Sequence, residues 1–75
     1  MARHHIENNI RRLRFDADEM TQAALAEKVG VTRQTIVAIE KAKYAPSLEL
    51  AFQIAHVFNK PLSEVFTFTG GTDKP

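Results

Sequence analysis

The sequence predicts an all-α fold: five short helices packed into one compact domain. Three observations predict it. Apolar residues recur at intervals of three and four in successive segments. A threonine or serine stands just before three of those segments (Thr21, Thr32 and Ser47), where a hydroxyl accepts from the free N–H groups of a first helical turn. Strand-like alternation is confined to "EVFTF" (Glu64 to Phe68), which is too short to found a sheet alone.

The first helix is expected from about Ile6 to Phe15, with Ile6, Ile10 and Leu13 as one apolar stripe. "DADE" (Asp16 to Glu19) breaks the pattern as a polar loop. Thr21 caps the second helix, Gln22 to Val29. Gly30 ends it, because helices often close on a left-handed residue and glycine adopts that conformation cheaply. Thr32 caps the third helix, which runs to about Lys41, and "KAKYAP" connects it to the next. Ser47 caps the fourth helix, Leu48 to Phe58. Leu50, Ala51, Ile54, Ala55, Val57 and Phe58 form its broad apolar face, opposite Glu49, Gln53 and His56. Pro61 suits the first turn of a fifth helix whose Leu62, Val65 and Phe66 turn inward. The domain is expected over residues 1–68, with "TGGTDKP" (residues 69–75) as a flexible tail.

Composition narrows the function. A 75-residue chain with 44% apolar residues is one small globular domain. It has no cysteine, hence no disulfide framework and no thiolate metal site. No apolar run approaches a membrane span, and "MARHHIENNI" lacks the apolar stretch of a secretory signal. A cytoplasmic protein is expected. The net charge is only +1, but it is unevenly spread. Residues 1–16 carry Arg3, Arg11, Arg12 and Arg14 against Glu7 and Asp16. Residues 32–46 carry Arg33, Lys41 and Lys43 against Glu40. Such segments are compatible with a phosphate-facing surface without demanding one. His4, His5 and His56 are the only histidines. They fall in no catalytic triad spacing and no HExxH motif, and no phosphate loop is present. Neither an enzyme nor a metal or cofactor is expected, and His4-His5 with Glu7 is read as a disordered start.

The stretch "TQAALAEKVGVTRQTIVAIE" (Thr21 to Glu40) carries the functional argument. Two helical segments meet with only Gly30 and Val31 before the next cap. A tight turn at a steep crossing angle needs a glycine at the bend and a small residue at the crossing, supplied by Gly30 and Ala26. The pair is therefore a helix-turn-helix. At 100° per residue, Ile36 and Ile39 face inward, with Thr35 and Glu40 partly so. Gln34, Val37, Ala38 and Lys41 face outward, with Arg33 alongside. An ordinary solvated helix would be rich in Glu and Lys. Here Gln suits an adenine edge and Arg a guanine edge, while Val37 and Ala38 suit thymine methyls. Lys41 and Lys43 suit phosphate.

With these residues in view, "TQAALAEKVGVTRQTIVAIEKAKYAPSLELAFQIAHVF" resembles the phage-repressor and Cro-like (Xre-family) helix-turn-helix regulators. The resemblance extends over about Ile6 to Phe66. It implies a lambda-repressor-like domain that binds double-stranded DNA, with residues 33–41 as recognition helix in the major groove. Arg33, Gln34 and Ala38 would occupy the main base-reading positions, joined by Val37. Gln22, Thr32, Thr35, Lys41, Lys43 and Tyr44 would meet the backbone. Arg14 and Glu40 resemble the family's partly buried ion pair between the first and third helices. The sequence departs from the family at the longer "DADEM" loop, at Met20 for leucine, at Ala24 where an acid often completes the cap, and at Ala42 where many members have glycine. No effector domain is expected to follow.

A homodimer on a palindromic operator is expected for this class. Val65, Phe66 and Phe68 are its candidate contacts, and Phe68 is preferred because Phe66 suits the monomer core. The expected role is transcriptional regulation, as a repressor. The alternative is an antitoxin-type or other protein-interaction module, since fold alone does not fix function.

Overall fold

The computed structural model describes residues 5–69. In chain order they form β1 (His5–Asn8), α1 (Ile10–Asp16), α2 (Gln22–Val29), α3 (Arg33–Glu40), α4 (Leu48–Phe58), α5 (Leu62–Val65) and β2 (Phe66–Thr69). Five helices dominate, as predicted. The core gathers Ile10, Leu25, Ile36, Ile39, Ile54 and Val65, all essentially without solvent contact, around the small Ala26 and Ala55. Each large aliphatic buried in this way contributes about 1.5–3 kcal/mol.

The helix starts follow the sequence signals. Thr21, Thr32 and Ser47 each accept a backbone N–H from three residues on: Ala24, Thr35 and Leu50. Three helices end alike, in a left-handed residue that closes two backbone bonds. After α2, Gly30 (φ 75°) donates to the Glu27 carbonyl and Val31 to Ala26. After α3, Ala42 (φ 59°) donates to Ile39 and Lys43 to Ala38. After α4, Asn59 (φ 56°) donates to His56 and Lys60 to Ala55. All three are Schellman motifs. Ala42 keeps the turn that glycine would take for less, so the sequence departure there leaves the path of the chain intact.

The loop before α2 is also resolved by positive φ. Asp18 (62°) and Glu19 (57°) are both left-handed. Together they reverse the chain so that Met20 donates to the Arg14 carbonyl at 2.8 Å and packs on the core.

The departures from expectation lie at the two ends of the described chain. The first helix begins at Ile10, not near Ile6. Residues 5–8 instead pair antiparallel with residues 66–69, Ile6 opposite Phe68 and Asn8 opposite Phe66. "EVFTF" therefore does enter a sheet, because its partner strand comes from the other end of the domain. Asn8 and Asn9 explain the change. Asparagine is a poor helix former and a good helix start, and Asn8 Oδ1 accepts the Ile10 N–H at 3.1 Å. Ile6 is left 40% exposed on the sheet instead of in the core. Thr69, expected in the tail, is the last residue of β2. The remainder of that tail, and His4, lie outside the described residues.

Candidate nucleic-acid interface

The α2–α3 turn fixes one face of α3 outward. Ile36 and Ile39 are buried beneath it. On the opposite side Arg33, Gln34 and Lys41 are exposed, and Val37 and Ala38 are half-buried. Lys43 and Tyr44 follow in the loop, both exposed. The Thr32 and Thr35 hydroxyls lie 3.0 Å apart, and Thr32 Oγ1 also accepts the Thr35 N–H. Thr32 thus spends part of its hydrogen-bonding capacity on the helix start.

Beneath this face lies one charged network. Arg14 grips Glu40 with two donors, Nε to Oε2 at 2.7 Å and Nη2 to Oε1 at 3.1 Å. Its Nη1 donates to the Met20 carbonyl at 2.8 Å. Only 14% of the Arg14 side chain and 9% of the Glu40 side chain are exposed. A bidentate arginine–carboxylate pair fixes orientation as well as distance. It ties α1, the start of α2 and the end of α3 together.

Gln22 also joins this network. Its Nε2 donates to Glu40 Oε1 at 3.3 Å, so one amide hydrogen serves the network. The other hydrogen and the carbonyl oxygen remain for a ligand.

Asn8 is a structural support of this face that the sequence reasoning missed. Its Nδ2 donates to the Ile39 carbonyl at 2.9 Å, satisfying an orphan acceptor in the last turn of α3. The doubled asparagine in "ENNI" was the available signal. Val65, by contrast, is fully buried in the monomer, so its side chain does not reach a partner and it drops out as an interface residue. Phe66 is half-buried against the core and Phe68 is 65% exposed.

The helix-turn-helix family model matches residues 10–65, from the start of α1 to the end of α5. The chain belongs to the Cro/C1-type (Xre) helix-turn-helix family. This is a family of DNA-binding transcriptional regulators. An HTH-type transcriptional regulator of Archaeoglobus fulgidus is 57% identical over 49 residues, 65% of this chain and 69% of that protein. One from Methanocaldococcus jannaschii is 55% identical over 49 residues, 65% and 74% of the two chains. One from Bacillus subtilis is 52% identical over 46 residues, 61% and 70%. Among solved structures, a Bacteroides fragilis protein that carries a DNA-binding description superposes with a TM-score of 0.73. It is 24% identical, and the match covers 83% of this chain and 98% of the other. That likeness concerns the fold alone. For this Cro/C1-type chain, no helix among the described residues is long and apolar enough to cross a membrane. No metal-binding cluster of acidic or histidine side chains occurs among them either.

Proposed function

We propose that this chain reads a specific double-stranded operator, with α3 in the major groove, and represses transcription as a homodimer in the cytoplasm. One observation carries the reading. The side chains of Arg33, Gln34 and Lys41 have no hydrogen-bonding or ionic partner among the described residues, while the inner side of the same helix is held by the core and the Arg14–Glu40 pair. A rigid helix that presents unspent donors is what base-edge readout needs. Arg33 and Gln34 read bases, with Val37 and Ala38 against thymine methyls. Thr32, Thr35, Lys41, Lys43, Tyr44 and the remaining amide capacity of Gln22 meet the sugar–phosphate backbone.

Dimerisation rests on a separate surface. Ile6, Phe66 and Phe68 share one sheet face by strand register. Phe52 and Leu62 line the same hollow as these three residues. A second copy covering this face gives two recognition helices, and a palindrome matches that two-fold symmetry. Phe68→Ser is expected to shift sedimentation toward the monomer. An unchanged dimer removes Phe68 from the interface.

A second reading, an antitoxin-type or other protein-interaction module, draws on the same apolar surface, because Phe52 and Phe68 are more than half exposed. Selection of duplexes from a random pool, with wild type and Gln34→Ala in parallel, separates the two. A palindromic consensus that relaxes at one position in the variant supports operator reading by Gln34. Binding without a consensus, or no binding, hands the case to the interaction module.

A further inference from the structure

The Arg11 side chain takes no part in the ion pairs or hydrogen bonds among the described residues. It sits on α1 one turn before Arg14, and positions i and i+3 share a helix face. That face looks toward the end of α3. There Arg11, Arg14, Asn8, Gln22, Val37, Glu40 and Lys41 enclose an open hollow of about 300 Å³. The hollow borders the outward side of α3 at Val37 and Lys41.

Its charge is unbalanced. Arg14 and Glu40 neutralise each other, and both Glu40 oxygens are already occupied by Arg14 and Gln22. Arg11 and Lys41 remain as two cations, with no acidic partner among the described residues. Their neighbour Arg12 behaves differently. It points into solvent and pairs with Asp16 at 3.4 Å. Two unpaired cations about one concave polar surface repel each other, and an anion between them relieves that repulsion.

We propose that Arg11 and Lys41 together hold one backbone phosphate of the bound duplex over this hollow. Gln22 lines the same hollow from α2, so its unspent amide hydrogen is a third donor for that phosphate. Arg11 is the new member. It extends the DNA-facing surface from α2 and α3 onto α1 and fixes how far the duplex can roll about the recognition helix. The inference rests on the DNA-binding reading above. A phosphate contact positions the duplex and carries no base information.

The test uses the duplex selected for the wild type and measures affinity across a salt series. Arg11→Ala is expected to reduce the slope of log K against log salt by about one contact's worth, ~0.9 for duplex DNA, and to leave the consensus unchanged. Arg11→Lys is expected to restore most of the slope, and Arg12→Ala to match wild type. In a second arm the wild-type chain is titrated with duplexes in which single phosphates are replaced by neutral methylphosphonates. One replacement is expected to weaken wild type but not Arg11→Ala. The wild-type half of this arm depends on no substitution, and the absence of any replacement that weakens wild type more than Arg11→Ala overturns the proposal. An Arg11→Ala slope equal to that of wild type overturns the proposal, as does a relaxed consensus, which would make Arg11 a base reader. Failure of wild type to bind any duplex sinks the operator reading itself and takes this inference with it.

Discussion

The two ends of α3 are anchored in different ways. Its N-terminal end is set by residues next to it in sequence: the left-handed Gly30, the Thr32 cap and the Thr32–Thr35 hydroxyl contact. Its C-terminal end is set from a distance. Asn8 reaches the Ile39 carbonyl across 31 positions, and Arg14 reaches Glu40 across 26. Local anchoring fixes the angle between α2 and α3. Distant anchoring fixes how that pair sits on the rest of the domain. The proposed base readout needs both, because an error at either end moves every side chain on the outward face of α3.

Substitutions at the two ends separate these contributions. The largest effect is expected at the distant end. Glu40→Ala strands the guanidinium of Arg14 in a mostly buried place, and a loss of about 3–5 kcal/mol is expected in urea unfolding. A loss under 1 kcal/mol would mean that solvent screens the pair, and the contrast between the ends would collapse. At the near end, Gly30→Ala is expected to cost about 1–2 kcal/mol, the price of a left-handed alanine. An added Cβ meets nothing within 4 Å there, so the loss is conformational and α2–α3 packing should survive in the folded fraction. Thr32→Ala removes one cap, with a loss of about 1 kcal/mol expected from the same unfolding curves, and Thr32→Asn should recover most of it. Ala42→Gly acts with the opposite sign. It relieves a left-handed alanine at the distant end, offset by a freer unfolded chain, and should raise the melting temperature by the equivalent of up to about 1 kcal/mol. The smallest effect is expected at Arg12, whose side chain is 77% exposed. Arg12→Ala should change stability by less than about 0.5 kcal/mol, and a larger loss would show that surface pairs on α1 matter as much as the buried one.

The same division explains what was legible in the sequence. The bounds of α2 and α4 are those predicted, because their signals act within four or five residues: Thr21 and Gly30 for one, Ser47 and the apolar face for the other. The Ala42 turn was flagged by the absence of glycine, though its survival was not. The start of α1 was misread because Ile6, Ile10 and Leu13 fit a helical stripe, while the strand role of Ile6 depends on Phe68, far along the chain. In the site, Arg33, Gln34 and Lys41 were legible as outward residues from periodicity alone. The bond from Gln22 to Glu40, the reach of Asn8 to α3 and the free charge of Arg11 were not. Each depends on how separate elements meet, and no local pattern encodes that.

The β1–β2 ribbon also has a consequence in time. Helices form among near neighbours, but the ribbon joins opposite ends of the described chain, pairing His5 with Thr69 and Asn8 with Phe66. Closing so long a loop must precede any reward from the contact. The ribbon is therefore expected to zip last in folding and to open first in thermal fluctuation, ahead of the core. Each opening releases Asn8 from Ile39 and leaves the last turn of α3 tied to the other helices through Glu40, by Arg14 and Gln22. A breathing motion of α3, set by this clasp at the far ends of the described chain, is the expected result, and amide exchange at Asn9, whose N–H donates to Val65 at 2.9 Å, is the measurement that times it.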